Sequence, residues 1–174
     1  MLEEDVEDEQ RLSLAGLVDQ HLADIQELGY TTVQVAADGL APGWGYTVGL
    51  WQRFRHPELI CVGMPAQACA AVLHQLAQRV ADGAVLPPGE PDSGLFRGRP
   101  HRYLEVGPEW RSASDWFNLG RILLSEGWGA QGWPPTLQVL WPDEHCRFPD
   151  EEGVEPALGV LQPPLSGPVT AQHS

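Results

Sequence analysis

The chain has 174 residues, 43% of them hydrophobic, which suits one ordinary domain with tails, and no apolar stretch approaches the ~20 residues that cross a bilayer. Ten arginines and no lysine exclude Schiff-base and pyridoxal chemistry, and a net charge of -14 opposes nucleic acid while suiting a basic protein partner. The opening run Glu3, Glu4, Asp5, Glu7, Asp8 and Glu9 is not the basic-then-apolar pattern of a signal region, so the expectation is a cytoplasmic protein with no membrane partner.

Residues 1–11 read as an acidic N-terminal extension, 12–150 as a single domain and 151–174 as an irregular Pro/Gly-rich tail. Leu14, Leu17, Val18, His21, Leu22, Ile25 and Leu28 recur at helical spacing, and Gly29 stops that helix. The carboxylates at its start read as a solvated end. Thr31 to Val35 alternates and is rich in β-formers; a Gly/Pro turn separates it from a second strand, Gly45 to Leu50. A basic loop through Arg53 and Arg55 then reaches His56-Pro57, and Glu58 to Gly63 reads as a short buried strand. Met64-Pro65 opens a second helix, whose stripe is Cys69, Val72, Leu73, Leu76, Ala77 and Val80. Leu86 to Gly94 reads as a loop and Tyr103 to Val106 as a strand, with Arg97, Arg99 and Arg102 clustered just before it. Ser114 can cap a third helix through Trp116, Phe117, Leu119, Ile122 and Leu123, and Thr136 to Trp141 is the last strand, closed by Pro142. This order does not alternate as a doubly wound parallel fold would. The expectation is an α+β fold: a mostly antiparallel sheet of about five strands with about three helices packed on it.

Catalytic signatures such as G-x-S-x-G, the Walker loop, G-x-G-x-x-G and H-E-x-x-H are missing. Cys61, Cys69 and Cys146 have no C-x-x-C spacing, so they read as reduced, mostly buried thiols; no metal site is expected, and no cofactor is specified. What remains is a set of polar residues at strand ends, next to proline and aromatic residues: Tyr46-Thr47, His56-Pro57-Glu58, and Gln138 through Trp141-Pro142-Asp143. A histidine beside a carboxylate can exchange protons, yet Asp143 is also an ordinary turn former and His56 can simply bond backbone. Arg102 with Arg97 and Arg99 can hold a small anion or make surface pairs, and His101 can assist. The tryptophans beside glycine, proline or strand ends, such as Trp44, Trp51, Trp128, Trp133 and Trp141, either lid the core or line a pocket.

Tyr46-Thr47-Val48-Gly49-Leu50, His56-Pro57-Glu58-Leu59 with Gly63 and Pro65, and Leu137 to Asp143 with Arg147-Phe148-Pro149 together resemble the bacterial family of domain of unknown function 4262, over about Gly29 to Pro164. The resemblance implies a compact α+β bacterial domain and no defined activity. It singles out Tyr46, Thr47, His56, Glu58, Gln138 and Asp143 as the polar members of the motifs. Cys146 stands where that pattern has a turn glycine, and Asp150 where an aromatic is common.

These observations point to a binding or regulatory domain that uses the polar cluster beside the tryptophans, with Tyr46, Thr47, Gln138, Trp141 and Arg102 as ligand-binding residues. An alternative is a small acid/base hydrolase in which His56 is the base, Glu58 or Asp143 orients it and an arginine holds an anionic substrate. A third reading is an immunity-type protein that neutralises a basic toxin through its acidic surface.

Overall fold

Apolar positions sort the chain into one sheet with helices on both faces. The computed structural model describes residues 2–39, 41–96, 99–112 and 115–166; Arg97, Ser114 and the end of the tail lie outside them, as do the side chains of Glu3, Glu4, Asp5 and Asp8. The elements are α1 (Leu2–Leu28), β1 (Thr31–Val35), β2 (Trp44–Val48), α2 (Leu50–Phe54), β3 (Glu58–Val62), α3 (Ala66–Ala81), β4 (Pro91–Phe96), β5 (Arg99–Glu105) and α4 (Pro108–Ser112). A 3-10 turn (Asp115–Phe117), α5 (Asn118–Trp128), β6 (Thr136–Leu140) and α6 (Pro156–Leu161) complete them. Among the described residues no helix is long and apolar enough to cross a membrane.

The sheet runs β1-β2-β3-β6-β5-β4. Neighbours are antiparallel except the central pair, where β3 runs parallel to β6 with Ile60 opposite Gln138. Every residue of β3 and of β6 is buried, as expected of central strands covered on both faces. Successive side chains of β3 point opposite ways and feed two cores. Ile60 and Val62 join Tyr46, Val48, Trp110, Phe117, Leu123 and Trp133 under α4 and α5. Leu59 and Cys61 join Leu73, Leu76, Val80, Tyr103 and Val139 under α3. The architecture is thus α+β with a mainly antiparallel sheet, as the order of elements implies.

The structure differs from these expectations at four places. The segment through Arg53 is a short helix, α2, rather than a basic loop, because a partner distant in sequence binds its first amides. A strand, β4, lies in the Pro-rich stretch, where Pro91 is tolerated because it opens an edge strand. Residues 2–11 lie within α1. The segment from 151 is not wholly irregular: α6 buries Leu158, and Leu165 beyond it is 0% exposed.

Candidate functional site

Glu58, the first residue of β3, is 0% exposed and faces the junction where β2 becomes α2. The chain reverses there through Gly49, held in the left-handed region at φ 118°, where a Cβ would lie 2.6 Å from the Gly29 carbonyl oxygen. Glu58 Oε1 accepts from the backbone N–H of Gly49 at 2.9 Å and of Trp51 at 3.0 Å, while Oε2 accepts the Thr47 hydroxyl proton at 2.6 Å. Thr47 Oγ1 in turn accepts from Leu59 N–H at 2.9 Å. The carboxylate therefore caps α2 from a neighbouring strand, satisfying amides that no local side chain reaches. Burial pushes its pKa up to about 7, against the opposing pull of those donors.

His56 is also buried, at the other end of α2. Its Nδ1 lies 2.8 Å from the Pro57 carbonyl, which can only accept, so Nδ1 carries the proton; Nε2 accepts from Leu86 N–H at 3.1 Å. Both ring nitrogens are used, the ring is neutral, and burial lowers its pKa. Tyr46 accepts from Gly120 N–H at 3.0 Å and packs edge-on against Phe117 and Trp133; burial raises its hydroxyl to about 12.

The third motif ties down the C-terminal segment. Gln138 donates to the Pro163 carbonyl at 3.0 Å and accepts from Leu165 N–H at 2.8 Å. Trp141 and Gln162 exchange a reciprocal pair: Trp141 N–H donates to Gln162 Oε1, and Gln162 Nε2 to the Trp141 carbonyl, each at 2.8 Å. Asp143 accepts from the backbone N–H of His145 at 2.8 Å, Arg147 at 2.9 Å and Glu155 at 3.2 Å; these amides, Arg147's foremost, hold its carboxyl below the ordinary range. Cys146, in the turn so built, has φ 57°, the left-handed conformation that suits glycine.

His56, Glu58 and Asp143 hence share no hydrogen bond; each is consumed by a different set of backbone groups. Thr47 and Glu58 are brought together, as are Gln138 and Trp141 through the tail. Among the described residues no three His, Cys, Asp or Glu side chains converge as metal ligands. The tryptophans divide: Trp110, Trp116 and Trp133 are core, Trp44 donates to the Trp116 carbonyl at 3.0 Å, and Trp51, Trp128 and Trp141 reach the surface.

Arg102, on β5, does face open space. Its guanidinium stacks over Phe148 at 4.8 Å, pairs with Asp150 through Nη2, and leaves Nε buried without an acceptor among the described residues. Beside it lies a hollow of about 640 Å³ lined by Arg102, Tyr103, Glu105, Gly107, Asp150 and Ser166 among others. Arg99 lines a different hollow, with Trp141, Asp143 and Glu155, so the two arginines do not share a site. Sequence reasoning missed the buried group on the other side of β5, where His101 Nε2 lies 2.7 Å from the Tyr103 hydroxyl and 3.5 Å from Asp92. The alternation His101-Arg102-Tyr103 is the signal that could have found it, since it puts His101 and Tyr103 on one face and Arg102 on the other.

No curated protein and no solved structure matches the chain. The family model described as "Domain of unknown function (DUF4262)" matches residues 24–155, from the last turn of α1 past β6 and the Asp143 turn, and the chain belongs to that family.

Proposed function

We propose that the chain is a binding domain, not an acid/base enzyme, and that its ligand site is the hollow beside Arg102. The observation that carries this is the Arg102 Nε–H, buried and without an acceptor among the described residues, on a side chain that lines that hollow. A buried donor without a partner costs about 1–3 kcal/mol, so an arriving acceptor gains more there than on open surface. Phe148 and Asp150 already hold the guanidinium plane, which leaves Nε pre-organised for an anionic oxygen. Glu105 and Asp150 on the same lining favour a ligand that carries a cation or several N–H donors as well, such as a free amino acid or another small zwitterion. A volume of about 640 Å³ fits such molecules. The hydrolase reading lacks a base, since His56 has no free nitrogen and His101 lies on the opposite face of β5.

The test is thermal unfolding with a panel of free amino acids, small dicarboxylates and inorganic phosphate. A saturable rise in Tm with at least one zwitterion is expected, lost in Arg102→Lys, which keeps the charge but not the Nε fork. No rise with any probe, or the same rise in the variant, would overturn the proposal.

A further inference from the structure

Two of the three cysteines lie against each other. Cys61, on β3, and Cys69, in the first turns of α3, are 0% and 1% exposed, and the Cys69 thiol donates to the Cys61 carbonyl oxygen at 3.6 Å. We propose that Cys61 and Cys69 are a reversible redox pair, oxidised to an intramolecular disulfide that clasps β3 to α3, with hydrogen peroxide or another small hydroperoxide as oxidant.

Three features separate this pair from inert core thiols. The first is the space around Cys69. A Cβ on Gly45 would lie 2.6 Å from its sulfur and 2.5 Å from the Gln34 side-chain amide, so only glycine on β2 lets sulfur and amide meet there. The second is the polar surrounding, because the Cys61 thiol, the Gln34 side chain and the Gly45 backbone lie around the Cys69 sulfur. Led by the Cys61 thiol, they hold the Cys69 pKa below its ordinary value against burial, while its neighbour's sulfur, and then burial, push Cys61 up. One sulfur is the nucleophile and the other keeps its proton. The third is access. Gln34 is exposed and lines a hollow of about 260 Å³ with Gly43, Trp44, Met64 and Pro65, and its side-chain amide lies beside Gly45 next to the Cys69 sulfur, between that sulfur and the hollow's edge.

The steps balance. The Cys69 thiolate attacks one peroxide oxygen, the O–O bond breaks, and the departing hydroxide takes a proton to become water, leaving a sulfenic acid. Cys61 then loses its proton and attacks the Cys69 sulfur, expelling the hydroxyl as a second water. Two thiols give up two electrons, peroxide accepts them, and one S–S bond forms. The crosslink closes a short loop that contains Gly63, Met64 and Pro65, three of the residues around the hollow, so oxidation would stiffen the wall of that opening.

The experiment uses the full chain carrying Cys146→Ser, which leaves only the paired cysteines. Folded protein is exposed to hydrogen peroxide, the peroxide is destroyed, and the protein is unfolded in N-ethylmaleimide before intact-mass measurement. The expected product has lost two hydrogens and takes up no maleimide, and dithiothreitol restores two adducts. In Cys61→Ser a dimedone-trappable sulfenic acid is expected on Cys69, and Gln34→Ala should speed disulfide formation several-fold. Two maleimide adducts after oxidation, with the fold intact by tryptophan fluorescence, would overturn the proposal, as would faster oxidation of Cys61 than of Cys69. If Cys61→Ser does not fold, the mass measurement on the Cys146→Ser chain decides alone.

Discussion

Glu58 shows how a single side chain does structural work that reads as chemistry in a list of residue types. Three donors converge on its carboxylate in a dry site, so deleting it strands two amides and a hydroxyl. Glu58→Ala should cost about 3–5 kcal/mol in urea unfolding, in the range for breaking a buried charged network. Glu58→Gln keeps one acceptor oxygen and should cost less. Gly120 makes the opposite kind of demand. A Cβ there would lie 2.5 Å from the Trp133 ring and 2.8 Å from the Tyr46 ring, both fully packed. Gly120→Ala should therefore destabilise by about 1–3 kcal/mol despite the better helix propensity of alanine, read as a drop in Tm.

At the scale of elements, the central question is what holds α6 and the irregular segment that follows it to the sheet. Gln138, Gln162 and Asp143 bond backbone in a region with no ladder of its own, and Leu165 inserts its side chain into the core shared by Tyr46 and Phe117. Gln138→Ala should loosen this segment selectively. The Leu165 amide loses its acceptor, so its hydrogen exchange should quicken by about tenfold, the equivalent of about 1.4 kcal/mol, while amides of β3 stay protected. Limited proteolysis should then cut first between residues 151 and 166. Equal quickening across β3 would mean global rather than local loosening.

For the molecule as a whole, two buried groups titrate in opposition. The folded pKa of Glu58 is raised from 4.5 to about 7, so its contribution is fully present below pH 4.5 and is lost as pH rises through about 7. The folded pKa of His56 is lowered from 6.5, so its contribution is present above pH 6.5 and is lost as pH falls through the folded value. Between these limits the two slopes offset one another. In urea unfolding across that window, Glu58→Gln should gain stability with rising pH more steeply than wild type, by at most about 3 kcal/mol over the whole range. His56→Gln should show the reverse, losing stability with rising pH. Parallel curves for wild type and both variants would contradict the assigned protonation states.

Local information alone determined much of this protein. The five-residue run of β-formers at Thr31, the stripe from Cys69 to Val80 and the apolar run after Pro135 each carry their period in adjacent residues, and the α+β class follows from their order. The motifs also marked Tyr46, Thr47, His56, Glu58, Gln138 and Asp143 as candidate site residues, and the structure gives each of them a hydrogen-bond partner. Tertiary structure alone decided who those partners are, because hydrogen bonds from Gly49 to Glu58, from Leu86 to His56 and from Leu165 to Gln138 join positions whose separation in sequence leaves no periodic trace. The same holds for α2 and α6, too short to form on propensity and held by capping and burial from elsewhere in the chain. Arg102 and the Cys61–Cys69 pair belong to that second class: their residue types are visible in the sequence, but the stacking on Phe148 and the approach of the Cys69 thiol to Cys61 exist only once the sheet has closed.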